Sequence, residues 1–413
     1  MTNFLTDYLH YTSGNEVNEH YHIWSALSAL SSCVSRKVWV EMGYFRIYPW
    51  LYIVLLGPPR NGKNTALGIA KRLVREVGDI PFSAECQSAE NLTGEMLEYE
   101  RAYTPPNGVP HIYTPISIFA TELSQFFIID PVKMVQFLTT VYDQEVYDRK
   151  TNKYGHQLIT GPFVSLLGCT TPDWVTSYLK TDIITGGFSR RTIFVLEDWT
   201  LDRRVPIPYI TPEMDLAFQR CIERGRQLKT LYGPFQWTDD AKAWYIDWYL
   251  TRKITTEATC APFDKNNSDQ ILKVAMLLEL CKSDDLILHL DTLQLALSML
   301  EKILVRLPDV FSGLGRNELA QVSSKLEAKL RMEARPFSLA EIKEYLWREA
   351  NGMEQFQVTE HLKTIGAIVQ TTDPAGKTWV VHRTLAGLLK SAPKPNQTPP
   401  VSTAPGSVPL ASL

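Results

Sequence analysis

The sequence of 413 residues predicts an α/β fold built around a parallel sheet, followed by a helical region and a small C-terminal domain. Three observations lead to this prediction. Short apolar runs that end in polar residues alternate with helical patterns over residues 51–205, which is typical of parallel strands buried on both faces. Helix-start signals dominate residues 206–320. Two helical patterns and a hairpin pattern then occupy residues 330–390.

The first fifty residues predict a helix and a hairpin that pack on the core. Apolar residues at helical spacing indicate an amphipathic helix over residues 23–34. Residues 37–47 read as a hairpin with Gly43 at its turn. We expect no chemistry from residues 1–50.

A glycine-rich segment follows the first apolar strand pattern, residues 51–56. Gly57, Gly62 and Lys63 have the G-x-x-x-x-G-K spacing of a phosphate-binding loop, and a helical pattern starts directly afterwards. The glycines let backbone N–H groups turn toward phosphates, and Lys63 can reach the outer phosphates at a helix N-terminus. The alternative is a turn between two core elements, but the strand and helix on either side favour nucleotide binding. The predicted ATP contacts are Gly57, Pro58, Pro59, Arg60, Asn61, Gly62, Lys63, Asn64, Thr65 and, from a later strand, Thr170.

The metal ligands of such a site are weaker in this sequence. Asn64 stands where Ser or Thr usually supplies a hydroxyl to Mg²⁺, so Asn64 or Thr65 is the expected contact. A second strand pattern, residues 116–122, ends in Thr121 and Glu122 where Asp and Glu are usual. We expect Glu122 to orient the attacking water and Thr121 to lie in the place of the Mg²⁺-linked Asp. An exposed glutamate at a helix start is the alternative for Glu122.

Two later segments bring further polar residues to strand ends. The third strand pattern, residues 163–172, ends in the hydroxyls of Thr170 and Thr171, which are the candidates to lie beside the γ-phosphate, and a helix cap is the alternative for Thr171. Arg190 and Arg191 precede another apolar strand and could stabilise phosphoryl-transfer charge in the same or a neighbouring subunit. A surface ion pair is the alternative for each arginine. Lys273 is a further candidate to point back at the nucleotide.

A basic segment between the second and third strands predicts a hairpin over residues 142–156, with its tip at 151–155. Basic side chains interleaved with an aromatic ring suit a single-stranded nucleic acid, because the charges follow the backbone and the ring stacks on a base. A solvated loop fits these residues equally well. The predicted DNA contacts are Arg149, Lys150, Lys153 and Tyr154.

The remaining chain predicts helices and a small domain. Helix starts are expected at Thr211, Thr238, Ser268 and Asp291. Ser338 opens a capping box, and two helices followed by a two-stranded wing over residues 330–390 predict a winged helix-turn-helix that binds DNA or protein. Residues 391–413 are rich in Pro, Ser and Thr and are expected to be disordered.

Composition limits the class of protein. A net charge of -3 and a pI near 6.3 exclude a generally basic surface, so DNA contact would need a local patch. The six cysteines are far apart and are expected to be reduced core residues. No apolar run is long enough for a membrane span and no secretion signal opens the chain, which predicts a cytoplasmic protein without a membrane partner.

Taken together, the motifs resemble a known family. The phosphate loop, Glu122, the strand end at 169–174 and the segment 187–191 occur in the order seen in helicase-like P-loop ATPases of phages, prophages and plasmids, often fused to or encoded beside primases. The resemblance covers residues 8–310 and includes residues 21–30 and 141–143. It implies a RecA/AAA+-like core, assembly into a homo-oligomeric ring or filament that could be a hexamer, and a role in replicating a mobile element in a bacterial host. It also implies Lys63, Glu122 and an arginine near 190 as working residues, with ATP and Mg²⁺ as cofactors and a primase or other replication protein as a possible partner.

Two functional hypotheses follow from these residues. The first is an ATP-dependent DNA motor, either a replicative helicase or a helicase-like translocase. The second is a non-motor switch or loader, which binds ATP, assembles and recruits a replication partner. A small-molecule kinase is disfavoured by the long helical and winged extensions.

Overall fold

The computed structural model describes residues 3–105, 108–142, 144–152, 155–172, 174–175, 187–198, 205, 207–255, 260–311, 318–333, 335–347, 351–372 and 378–383. The chain forms two compact units, Met1–Leu314 and Gly315–Leu413. The first unit therefore contains the N-terminal segment, the parallel sheet and the helices that follow it. The second unit contains the small C-terminal domain.

The first unit is a mixed α/β structure. Its described helices are α1 (Phe4–Thr12), α2 (Glu19–Val34), α3 (Lys63–Val77), α4 (Ala89–Leu97), α5 (Leu123–Phe126), α6 (Pro131–Val141), α7 (Pro212–Leu228), α8 (Asp239–Thr251), α9 (Ala261–Leu280) and α10 (Leu290–Phe311). Its described strands are β1 (Val38–Glu41), β2 (Arg46–Ile47), β3 (Tyr52–Leu56), β4 (Arg101–Tyr103), β5 (His111–Ala120), β6 (Val146–Thr151), β7 (Gly155–Thr160), β8 (Pro162–Thr170), β9 (Thr192–Leu196), β10 (Gly233–Trp237) and β11 (Ile287–Leu288).

The central sheet confirms the predicted parallel arrangement. Its strand order is β4-β5-β8-β3-β9, and only β4 runs antiparallel to its neighbour. Every residue of β3 and β8 is buried, as expected for strands covered on both faces. The register sets Leu56 beside Thr170 on one side and Leu196 on the other. The segments that follow these strands therefore leave the sheet at the same edge.

Helix α3 begins directly after the glycine-rich loop, as predicted. Gly62 is its N-cap in a left-handed conformation with φ of 76°, and the helix ends at Val77 with Gly78 as its C-cap. Its apolar residues, including Ala66, Leu73 and Val77, are buried, whereas Arg72 and Arg75 are exposed on the other side. This amphipathic pattern holds α3 against the sheet and fixes the position of its N-terminus.

The N-terminal segment forms the predicted helix and hairpin, with one addition. α2 includes residues 23–34, and the β1–β2 hairpin turns at Gly43 with φ of 78°. Nearly every residue of α2 is buried, so this helix lies inside the unit and has no broad polar face. β1 also pairs in parallel with β10, which pairs with β11, and the sequence did not predict this second sheet.

The helices after residue 206 begin close to the predicted signals, with one exception. Thr211 and Thr238 are the N-caps of α7 and α8, and α10 begins one residue before Asp291. The predicted start at Ser268 is wrong, because α9 begins at Ala261 and passes through it. Ser268 is buried inside the helix.

The second unit contains three described helices and a small antiparallel sheet. Its elements are α11 (Glu318–Glu333), β12 (Phe337–Ser338), α12 (Leu339–Leu346), α13 (Gly352–Thr364), β13 (Ile368–Thr372) and β14 (Thr378–His382). The sheet order is β12-β14-β13. The predicted capping box of Ser338 and Glu341 is confirmed, and so are the two helices and the hairpin; α11 and β12 were not predicted. The predicted disordered tail, residues 391–413, lies outside the described residues.

Two predictions from composition can be compared with the structure. All six cysteines are free, and five are buried as predicted, but Cys86 is exposed. Cys86 lies in the connection between α3 and α4, where it cannot act as a core residue. In the described part of the chain, no helix is both long and apolar enough to cross a membrane.

Helix α7 approaches α3 and α2 closely at Gly225. A Cβ added to Gly225 would lie 2.5 Å from the Val77 Cγ2 and 3.2 Å from the Cys33 Sγ. We therefore expect Gly225→Ala to lower the free energy of unfolding by about 1–3 kcal/mol through overpacking. Gly94→Ala is the matched control, because nothing lies within 4 Å of its added Cβ and alanine favours the helix by about 0.5–1 kcal/mol. Chemical denaturation measures both variants, and equal stabilisation by both would contradict this packing.

Candidate functional site

The loop between β3 and α3 is closely packed against the start of α2, the turn before α2 and the chain after β9. A Cβ on Gly57 would collide with the Tyr21 hydroxyl and would lie 2.7 Å from the Glu197 carbonyl oxygen. A Cβ on Gly62 would lie 2.5 Å from the Val17 Cγ2, and the positive φ of Gly62 favours glycine independently. Both glycines of the sequence motif are therefore required by the packing of the protein itself.

Lys63 lies at the mouth of this loop. Its Nζ donates to the carbonyl oxygens of Gly57 and Pro58, both at 2.7 Å. The side chain is buried, and burial lowers the pKa of Lys63, while the nearby Cys169 and Glu122 act in the opposite direction. The ammonium group is thus folded over the loop, and one of its three protons remains for another acceptor.

The start of α3 presents backbone donors to the same space. Within the described residues, the N–H groups of Gly62, Lys63 and Asn64 donate to no protein acceptor, whereas Thr65 and Ala66 already donate to the Gly62 carbonyl. The first N–H groups of a helix point outward along its axis and carry partial positive charge. Together with Lys63, this arrangement suits a phosphate group.

Thr170 and Glu122 lie at the same edge of the sheet. Thr170 is the last residue of β8, pairs with Leu56 in the register and is buried. Glu122 follows β5, begins α5 and is exposed. It is close enough to Lys63 and Cys169 to act electrostatically on both. The structure therefore brings Lys63, Glu122 and Thr170 together, as the sequence predicted.

The three candidate magnesium contacts differ in position. Asn64 and Thr65 are both exposed on the first turn of α3, but they lie about 100° apart around the helix axis. Thr65 shares its face with Arg72, which donates to the Tyr11 hydroxyl at 2.9 Å. The Thr121 hydroxyl donates to the Glu85 carboxylate at 2.8 Å.

The donor set fits Mg²⁺ held mainly by a nucleotide. No group of three or more His, Cys, Asp or Glu side chains forms a metal cage in the described ranges. Mg²⁺ usually keeps several waters and takes one or two protein oxygens beside phosphate oxygens. Asn64 is the side chain at the loop that fits such a direct contact, and Thr65 fits it less well.

Arg190 and Arg191 lie at the opposite edge of the sheet from the loop. They precede Thr192, which pairs with Tyr52 at the amino end of β3. The length of β9 separates them from the loop by roughly 13 Å of strand, so action on the loop of the same subunit is not supported. Arg191 donates to the Gly187 carbonyl oxygen at 2.8 Å and lies over the Tyr142 ring, whereas Arg190 is exposed. Contact with a neighbouring subunit remains a prediction.

Lys273 is also far from the loop, and its predicted role is wrong. Its side chain is buried, with Nζ 4.0 Å from the centre of the Tyr142 ring and 5.3 Å from that of Trp50. Trp50 precedes β3 at the amino edge of the sheet. Lys273 therefore belongs to an aromatic core cluster.

The predicted basic hairpin is present as β6 and β7. Lys150 is exposed and pairs in register with His156, which contacts Asp148 at 2.7 Å. Arg149 does not extend freely from the hairpin, because its guanidinium bonds the Glu90 carboxylate of α4 at 3.2 Å. Lys153 and Tyr154, the other two predicted DNA contacts, lie outside the described residues.

A polar network next to the loop was missed by the sequence analysis. The Asn61 amide donates to the Tyr21 hydroxyl at 2.9 Å and to the Glu197 carbonyl at 2.8 Å, and Tyr21 in turn donates to the Leu56 carbonyl. The Glu197 carboxylate binds His20 at 2.6 Å and Asn18 at 2.9 Å. The start of α2 thus supports the loop, which agrees with the expectation that residues 1–50 pack on the core. No short-range pattern connects residue 21 with residue 61 or 197.

Comparison with known proteins does not identify this chain. No model of a protein family matches the sequence, and no curated protein is recognisably similar to it. The geometry of the loop and the chemistry of the side chains around it are therefore the basis for a functional proposal.

The His20–Glu197 pair predicts a dependence of stability on pH. The hydrogen bond with Glu197 raises the pKa of His20, and Glu19 adds to this effect while burial and Lys302 oppose it. Because the folded pKa lies above the unfolded value near ~6.5, the contribution is complete below that value and is lost as pH rises through the folded pKa. We expect the free energy of unfolding to fall between pH 6 and 8 more in the wild type than in His20→Gln.

Denaturation at several pH values measures this difference. Glu197→Gln should behave like His20→Gln, because it removes the carboxylate and keeps the backbone carbonyl that holds Asn61. An unchanged pH dependence in Glu197→Gln would contradict the assignment to this pair.

Proposed function

We propose that the first unit is a P-loop ATPase of the RecA/AAA+-like type and that it drives a DNA motor, as a replicative helicase or helicase-like translocase. The observation that carries this proposal is the position of the buried Lys63 in a loop between a strand and a helix, where packing requires two glycines. Glu122 and Thr170 lie at the same edge of the sheet as this loop. ATP with Mg²⁺ is the ligand that this arrangement suits.

Each residue has a chemical role in this proposal. The N–H groups of residues 62–64 and the Lys63 ammonium would bind the phosphate oxygens, and Asn64 would hold the metal. Mg²⁺, when bound, neutralises charge that develops between the outer phosphates. Glu122 accepts a proton from the attacking water and orients it, and the Thr170 hydroxyl donates toward the γ-phosphate.

The strand order supports the assignment of these roles. β8 lies between β3 and β5, so Thr170 projects from the strand between the loop and Glu122. A polar group at that position suits contact with the outermost phosphate and with the attacking water. The conversion of such contacts into loop movement is how nucleotide hydrolysis drives motion in many ATPases.

Single-stranded DNA is the proposed substrate of the motor. The β6–β7 hairpin carries the exposed Lys150 near its tip, with Lys153 and Tyr154 next along the chain. Arg149 is less available, since it is bound to Glu90. Arg190, exposed at the far edge of the sheet, is the proposed contribution to the site of a neighbouring copy in a ring or filament.

The second unit favours an additional candidate function, the recruitment of a protein partner. Its order of helix, strand, two helices and hairpin, with the sheet order β12-β14-β13, supports a winged helix-turn-helix. In DNA-binding members of this class the second of the paired helices enters the major groove. Here that helix, α13, exposes Met353 and Phe356 and pairs its Lys363 with Glu360. These side chains suit a protein surface better than phosphates, which supports the switch or loader alternative.

ATP turnover distinguishes these functions. In the motor, single-stranded DNA should stimulate ATP hydrolysis, and both Lys63→Ala and Glu122→Gln should abolish the stimulated rate. Loss of a general base lowers the rate by about 10²–10⁴-fold, while Glu122→Gln should keep nucleotide affinity. Glu301→Gln, an exposed glutamate on α10, is the control with wild-type turnover. Tight ATP binding by the wild type without turnover would instead support the switch.

DNA binding by the hairpin has a separate test. The logarithm of the affinity for single-stranded DNA falls with the logarithm of salt concentration with a slope of about −0.7 per neutralised phosphate. Lys150→Ala with Lys153→Ala should therefore reduce the slope by about 1.4. The control combines Lys242→Ala with Lys265→Ala, which removes two exposed lysines far along the chain. An unchanged slope in the hairpin variant would exclude the hairpin from DNA binding.

A further inference from the structure

Glu85 lies at the end of β5, where the sequence has a threonine in place of the expected acid. The segment before it runs beside β5: Phe82 pairs in parallel with Ser117, and backbone bonds join Ser83 and Pro81 to that residue. This pairing carries the chain toward the same edge of the sheet as the loop. Three residues further on, Glu85 arrives next to Thr121.

The Glu85 carboxylate is held by two side chains. One oxygen accepts a hydrogen bond from the Thr121 hydroxyl at 2.8 Å, and the other contacts the Lys71 Nζ at 2.5 Å. The Glu85 side chain is still 44% exposed, so these two bonds do not enclose the carboxylate.

Gly68 lies on helix α3 between its first turn and Lys71, the lysine that binds Glu85. Asn64, Gly68 and Lys71 follow one another at helical spacing and share one face of α3. A Cβ added to Gly68 would meet nothing within 4 Å, so the immediate surroundings of this glycine are open. Helical side chains lean toward the N-terminus, which brings the Lys71 ammonium and its partner Glu85 back toward the loop.

We propose that Glu85 supplies the carboxylate toward Mg²⁺ that position 121 lacks, while Thr121 holds Glu85 in place and Glu122 acts on water. This inference rests on the proposed nucleotide site. Two segments of the chain would then share the acidic functions of the site. Glu85, in the connection after α3, faces the metal, and Glu122, after β5, acts on water. The competing interpretation is a surface ion pair of Lys71 and Glu85 that only stabilises the fold.

The Mg²⁺ dependence of nucleotide affinity tests the proposal without any need for turnover. The full chain is titrated with a fluorescent, non-hydrolysable ATP analogue at a series of Mg²⁺ concentrations. The Mg²⁺ midpoint is the Mg²⁺ concentration at which half of the Mg²⁺-dependent gain in analogue affinity is reached. Removal of an outer-shell metal partner typically costs about 10–100-fold in metal affinity, so Glu85→Gln should raise this midpoint by that factor. Glu301→Gln, at an exposed glutamate of α10, should keep the wild-type midpoint.

Lys71→Met separates a metal role from a structural ion pair. It removes the same ion pair as Glu85→Gln but leaves the carboxylate, so its Mg²⁺ midpoint should stay unchanged or fall. Thr121→Asp introduced into Glu85→Gln should restore the wild-type midpoint, since it returns an acid to the strand end. Wild-type midpoints in both Glu85→Gln and Lys71→Met, with equal losses of thermal stability, would overturn the inference and leave the nucleotide site intact. Absence of analogue binding to the wild type at any Mg²⁺ concentration would overturn both proposals.

Discussion

The parallel pairing of β3 with β8 and β9 is the interaction on which the candidate site depends. The three strands are in register over residues 52–56, 166–170 and 192–196, so their carboxyl ends coincide. The glycine-rich loop, Thr170 and Glu197 therefore leave the sheet at one level. A shift of β8 by one residue would turn Thr170 to the other face of the sheet, and complete burial of these strands makes such a shift costly.

The loop owes its shape to residues distant in the sequence. Tyr21 and Val17, from the start of α2 and the turn before it, lie beneath Gly57 and Gly62, and Asn61 bonds the chain after β9. A phosphate-binding loop works best when its backbone donors already point at the ligand, because little ordering then opposes binding. The two glycines thus allow Tyr21 and Val17 to pack directly against the loop.

Ion pairs and hydrogen bonds sort the predicted residues into two groups. In the first group, Arg149 is bound to Glu90 and Arg191 to the Gly187 carbonyl oxygen. Thr121 is bound to Glu85. Glu122 and Lys150 are instead exposed at the sheet edge and on the hairpin. A side chain held by its own protein is oriented but less available, whereas an exposed one can meet water, phosphate or DNA. The roles proposed for Glu122, Lys150 and Thr121 follow this division.

The sequence by itself determined the local elements of this protein. The buried strand before Gly57, the helix after Lys63, the hairpin of residues 146–160 and the capping box at Ser338 all depend on patterns within a few residues. Parallel strands also share an edge, so the meeting of Lys63, Glu122 and Thr170 could be predicted. Only the tertiary structure decided the rest: the pairing of β1 with β10, the support of the loop by Tyr21, the far-edge position of Arg190 and the approach of Glu85 to Thr121. These features depend on contacts between segments far apart in the chain, which local patterns do not encode.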